Sequence, residues 1–183
     1  VNVTGAFGPV WEGGYKANFT PEARKEIVKM IREVIDRAEV SNTYFTVEPM
    51  PWMVPTGPED YLKLIEEVDR EHFAVHMDII NMINCAERYF FPERFIDECF
   101  TLLGPYIRSC HLKDVHLLGD FTFCLKECAC GEGEFPFRKY MDAATALDPD
   151  MPMIIEHLNT DEEYRASVAY VRKRLEGHVT PIA

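Results

Sequence analysis

Four short apolar runs in this chain stop at an acid or a histidine. Residues 43–47 end at Glu48, residues 73–77 at Asp78, residues 106–110 at His111 and residues 153–155 at Glu156. Each run is rich in β-branched, aromatic or long aliphatic side chains and reads as a strand. Pro49 blocks regular extension of the first of the four. Residues 1–5, closed by Gly5, make a fifth strand-like run ahead of them.

Helical patterns fill the intervals. Thr20, Pro21 and Glu22 give an N-cap, a proline at the first helical position and an acid in the first turn. Ile27, Ile31, Val34, Ile35 and Ala38 follow at helical spacing. Pro58–Val68, Pro92–Leu103 and Phe137–Leu147 read as three more helices. Thr160 opens a last one, with Asp161, Glu162 and Glu163 where the helix dipole favours acids.

Strands alternating with helices imply a parallel sheet with right-handed crossovers. Two architectures satisfy the pattern: an open doubly wound sheet and a (β/α)8 barrel. No glycine-rich phosphate fingerprint follows the first strand, which weighs against a dinucleotide-binding open sheet. In either architecture all strand C-termini lie on one side. Glu48, Asp78, His111 and Glu156 can therefore converge. Three carboxylates and one imidazole suit one divalent cation: Mn²⁺ first, with Mg²⁺, Co²⁺ or Zn²⁺ as alternatives. The irregular stretch 115–136 is long enough to be functional, and 121–123 inside it reads as a short strand.

Composition narrows the classes. A chain of 183 residues suits one domain, here residues 1–183. A formal net charge of −12 opposes a nucleic-acid surface, and no apolar run is long enough for a membrane helix. No secretory leader is read, so the expectation is a cytoplasmic protein with reduced thiols. Cys124, Cys128 and Cys130 lack the paired spacing of a structural zinc site.

The motifs carry a resemblance. Thr46-Val47-Glu48-Pro49-Met50-Pro51-Trp52, His76-Met77-Asp78-Ile79-Ile80-Asn81, Ser109-Cys110-His111-Leu112-Lys113-Asp114, Gly131-Glu132-Gly133 and Ile155-Glu156-His157-Leu158 together resemble the sugar phosphate isomerase/epimerase family. That resemblance implies a xylose-isomerase-like TIM barrel, akin to ketose 3-epimerases, inosose dehydratases and C-glycoside deglycosidase subunits. It implies that Glu48, Asp78, His111 and Glu156 are the metal ligands, and that Glu48 and Glu156 are also the acid and base. The epimerases carry a histidine three residues after the aspartate ligand. This chain has Asn81 there, which can hydrogen-bond a sugar hydroxyl but cannot shuttle a proton.

Lys113 is read as a substrate contact and Asp114 as an outer partner that orients His111. Trp52 and Phe90 could stack on a sugar ring. His157, one residue past a strand-end ligand, is expected to point away from it. The functional expectation is a divalent-metal-dependent isomerase or epimerase of a sugar or sugar derivative. The alternatives are a lyase, either dehydratase or deglycosidase, and a non-catalytic sugar-binding or assembly fragment.

A complete barrel needs roughly 250 residues. Matched to the family, residues 1–5 correspond to the fourth strand. The expectation is therefore an incomplete barrel holding only the C-terminal five βα units. Its two open edges would invite pairing with a second copy.

Overall fold

A computed structural model describes residues 2–4 and 14–176. Its elements, in chain order, are β1 (Asn2–Val3), α1 (Pro21–Ala38), β2 (Phe45–Glu48), α2 (Pro58–Val68), β3 (Phe73–Met77), α3 (Ala86–Phe90), α4 (Pro92–Leu103), β4 (Ile107–Leu112), β5 (Asp114–Leu117), β6 (Leu125–Cys128), α5 (Phe137–Leu147), β7 (Met153–Ile155) and α6 (Asp161–Leu175). Val1 and Gly5, the ends of the first expected strand, lie outside the described residues.

Helix ends follow the sequence signals. Thr20 Oγ accepts from Ala23 N ahead of α1. Thr160 and Glu163 form a reciprocal capping box ahead of α6.

Strand order decides between the two architectures. The five-stranded sheet runs β1-β2-β3-β4-β7, all parallel. An open doubly wound sheet reverses its order at a switch point; this one does not. Consecutive helices pack in a row: α1 on α2, α2 on α4, α4 on α5, α5 on α6. The result is an arc of a (β/α)8 barrel, incomplete as expected.

The two faces of the arc are chemically opposite. Val47, Val75, Met77, Cys110 and Leu112 belong to the apolar core with Ile27, Ile31, Tyr61, Leu64, Ile96, Leu103 and Tyr140 of the helices. Alternation then turns Glu48, His76, Asp78 and His111 to the other face.

On β4 this needs a correction to the register. Val75 pairs with Ile107 but His76 pairs with Ser109, so Arg108 is an extra residue. The bulge lets Ile107 and Cys110 both reach the core while His111 faces inward.

The stretch 115–136 is more regular than its sequence suggests. β5 and β6 pair antiparallel as a hairpin. The short strand expected at 121–123 is instead the hairpin's turn, and Phe121 is fully exposed there. Its aromatic run mimicked a strand, but the pairing residues are the flanking Asp114–Leu117 and Leu125–Cys128.

Candidate metal centre

β2, β3, β4 and β7 bring their C-terminal residues together. Ligand atoms of Glu48, Asp78, His111 and Glu156 all lie within 4.8 Å of one another. His111 Nδ1 is 3.1 Å from Glu48 Oε1, 3.2 Å from Asp78 Oδ2 and 3.0 Å from Glu156 Oε1. Asp78 is 1% exposed, whereas Glu156 is open enough to be reached from solvent.

Three carboxylates this close repel. A pair of like charges 4 Å apart costs about 4 kcal/mol at an effective dielectric of 20. Two cations answer them. Lys113 is buried, with Nζ 2.9 Å from Asp78 Oδ2, 2.6 Å from Glu156 Oε1 and 3.8 Å from Glu48 Oε1. Burial alone would depress the His111 imidazole, but its pairing with the carboxylates of Asp78, Glu156 and Glu48 outweighs that and lifts it to about 11. Burial pushes Asp78 and Glu156 upward; His111 and Lys113 prevail and hold each carboxyl at about 2.

Asn81 ties the cluster together. Its backbone N–H donates to Asp78 Oδ1 at 2.9 Å, its Nδ2 donates to Glu48 Oε1 at 3.0 Å, and its Oδ1 accepts from Lys113 Nζ at 3.3 Å. Asn81 therefore stands in the cluster, on a 3₁₀ turn just after β3.

The structure adds to one sequence reading and changes two. Lys113, read as a substrate contact, stands inside the cluster as a counter-ion to Asp78 and Glu156, where it continues the inward parity of Ser109 and His111. Asp114 is not a partner of His111. One residue further on, it points the opposite way, and its carboxylate accepts from the N–H groups of Val115, Gly131, Gly133 and Phe135. It pins the loop 129–135 against β5.

The two glycines of that loop follow from this. Gly131 has φ +98°, and a Cβ at Gly133 would collide with the Asp114 carboxyl. His157, third, turns back toward the cluster. Its φ of +60° breaks the alternation of β7. Its Nδ1 then lies 3.0 Å from Glu127 Oε2 of the hairpin and its Nε2 3.6 Å from Glu156 Oε1.

Trp52 is half-buried on the loop after β2, and Phe90 stands exposed on α3 with its ring edge-on to Tyr89. The three clustered-looking cysteines of 124–130 form no metal-ligand group among the described residues; all six cysteines are free. No helix among the described residues is long and apolar enough to cross a membrane.

One residue was missed altogether. His76 is fully buried beside His111, with ring centroids 4.0 Å apart, and contributes to a second ligand-type group with Glu48 and His111. Burial, then the neighbouring His111, push its imidazole down to about 4. The signal was available: His76 is two positions before Asp78 in one strand and so shares its face.

The donor set fits a divalent cation on two observations. Its three carboxylates face two cationic side chains, His111 and Lys113, which leaves one negative charge for an ion to answer. Glu156 Oε1 is also buried without hydrogen-bond geometry to any partner, despite its short ion-pair distances.

A singly wound parallel α/β arc with a carboxylate–imidazole cluster at its strand ends defines a class, the TIM barrels that bind ions or substrates at the C-terminal rim. Comparison with known proteins makes this specific: residues 2–174 match the xylose isomerase-like TIM barrel family, and the chain belongs to it. The protein YihM of Escherichia coli K12, itself uncharacterised, is 25% identical over 162 residues, covering 87% of this chain and 45% of YihM. A xylose isomerase-like TIM barrel protein from Mycobacterium smegmatis, solved with magnesium, superposes with a TM-score of 0.68 at 18% identity, over 95% of this chain and 60% of that one. A D-tagatose 3-epimerase-like protein gives 0.68 at 20% identity, over 88% and 57%. The chain thus spans about half the length of these relatives.

Proposed function

We propose that this chain carries the metal-binding part of a divalent-metal-dependent isomerase or epimerase acting on a sugar or sugar derivative. The whole chain is read as the C-terminal part of that barrel. The observation that carries the reading is the convergence of Glu48, Asp78, His111 and Glu156 within 4.8 Å at one end of the sheet. Two structural relatives support it: one was solved with magnesium, and the other is a D-tagatose 3-epimerase-like protein.

Glu48, Asp78, His111 and Glu156 would hold the ion, with Mn²⁺ as the first choice. A bound divalent ion polarises a ketose carbonyl and acidifies the neighbouring C–H. Glu156, the more exposed of the two glutamates, would take that proton and Glu48 would return one. Asn81 holds Glu48 Oε1 by its amide, fixing the carboxylate's rotamer. Lys113 supplies a fixed positive charge beside Asp78 and Glu156, which favours the enolate-like charge that develops after proton removal. Asn81 cannot itself relay a proton, so proton transfer rests on the two glutamates. A lyase would share the same first proton abstraction.

The test is solvent exchange. A panel of ketoses is incubated in D₂O with the full-length protein and Mn²⁺, and deuterium at the carbon next to the carbonyl is read by NMR. Wash-in that disappears in Glu156→Gln supports the reading. Undiminished wash-in by the variant would remove Glu156 from the chemistry, and no exchange with any ketose would contradict isomerisation by proton transfer.

A further inference from the structure

The mechanism above leaves one buried group without a task. His76 is fully buried on β3, one pleat behind Asp78. Its Nδ1 is engaged with Ser109 Oγ, the residue paired with it across the β4 bulge. Its Nε2 is buried and has no hydrogen-bond partner. An aliphatic or phenyl side chain would fill the same space without leaving a polar atom unpaired.

The ring itself stands among ligand-type groups. A His76 ring nitrogen and donor atoms of Glu48 and His111 lie within 4.8 Å of one another. This triad overlaps the first group in Glu48 and His111, but it replaces the two remaining carboxylates with an imidazole. The two groups differ in chemistry: one is mostly oxygen, the other mostly nitrogen. In the tautomer that donates Nδ1–H to Ser109 Oγ, Nε2 carries the ring's lone pair, and the serine then fixes the ring as outer partners of metal-bound histidines do.

We propose that His76, with Glu48 and His111, ligates the ion when that ion is a borderline transition metal such as Co²⁺ or Zn²⁺. This rests on the metal-site reading above. Mg²⁺ takes oxygen ligands and gains nothing from the imidazole. His76 is then a determinant of metal preference, favouring Co²⁺ and Zn²⁺ over Mg²⁺.

The test uses Co²⁺ and Mg²⁺ alone, with no substrate. His76→Asn keeps an amide in place of Nδ1 and removes Nε2; His76→Phe keeps the ring and removes both nitrogens. Calorimetric titration should show Co²⁺ affinity falling about 10- to 100-fold in both variants, with Mg²⁺ affinity changed less than about twofold. The visible Co²⁺ spectrum should change with them. X-ray absorption on Co²⁺-loaded wild-type protein, which needs no variant, should count two imidazoles. One imidazole there, or an unchanged Co²⁺ spectrum and affinity in a folded variant, would overturn the assignment of His76 alone. Failure of the wild-type chain to bind either ion would overturn the metal-site reading together with it.

Discussion

The two faces of the sheet obey opposite rules. The outer face, through Val47, Val75, Met77 and Leu112, is sealed by five helices and is apolar throughout. The inner face is just as buried at Asp78, His111 and Lys113, yet it is charged. Burying polar groups costs stability unless partners are supplied, and here the partners are one another. The outer face specifies the arc. The inner face uses the rigidity of that arc to hold like charges closer than they would choose, as binding sites do.

Substitutions on the two faces should therefore separate stability from metal affinity. The largest effect is expected for Leu64→Ala, fully buried on α2 beneath the sheet. Thermal or urea denaturation should show a loss of about 3 kcal/mol, with Mn²⁺ affinity nearly unchanged in the folded protein. Equal losses of stability and affinity would blur the division. Glu48→Gln should do the reverse. Mn²⁺ affinity measured by calorimetry falls at least about 100-fold, or about 2.7 kcal/mol, while the melting temperature moves by only a few degrees.

Asp114 sharpens the comparison because it is charged and buried yet belongs to the architecture. Asp114→Asn replaces an acceptor oxygen with a donor that faces backbone N–H groups, so a loss of about 2 kcal/mol is expected. Hydrogen exchange should rise in residues 129–135 first, and protection there equal to wild type would contradict the pinning role. The smallest effect is expected for Glu127→Ala. Its tie to His157 is half-exposed and its contact with Lys113 is long at 3.7 Å, so stability should change by less than about 1 kcal/mol. Proteolysis within the hairpin turn should nevertheless accelerate.

Much of this was legible in the chain. Helices Pro58–Val68, Pro92–Leu103 and Phe137–Leu147 carry proline or apolar periodicity sharp enough to fix both ends. The convergence of the four strand-end residues followed from parallel topology alone. Apart from His76, which keeps its strand's parity, most of what escaped depends on breaking a period. The bulge at Arg108 resets parity inside β4, and no residue type announces it. His157 escapes its expected side because its backbone turns left-handed, which a non-glycine residue rarely does. Asp114 was assigned to the wrong neighbour because a motif shows adjacency and not direction. Its true partners lie in the Gly131–Gly133 loop, 17 to 21 residues away at Gly131 and Phe135.

The open edges remain the other consequence of the arc. Among the described residues β1 and β7 each pair on one side only, and Ile154 of β7 is 45% exposed. We propose that a second copy covers them; light scattering should give a dimer at micromolar concentration, and a stable monomer would contradict it.

The central claim is that these four strand-end residues hold one divalent ion. Equilibrium dialysis of the purified chain against Mn²⁺, followed by elemental analysis, tests it most directly. One ion per chain in the wild type, lost in Glu156→Gln, is the predicted result. A wild-type chain that retains no stoichiometric Mn²⁺ would contradict it.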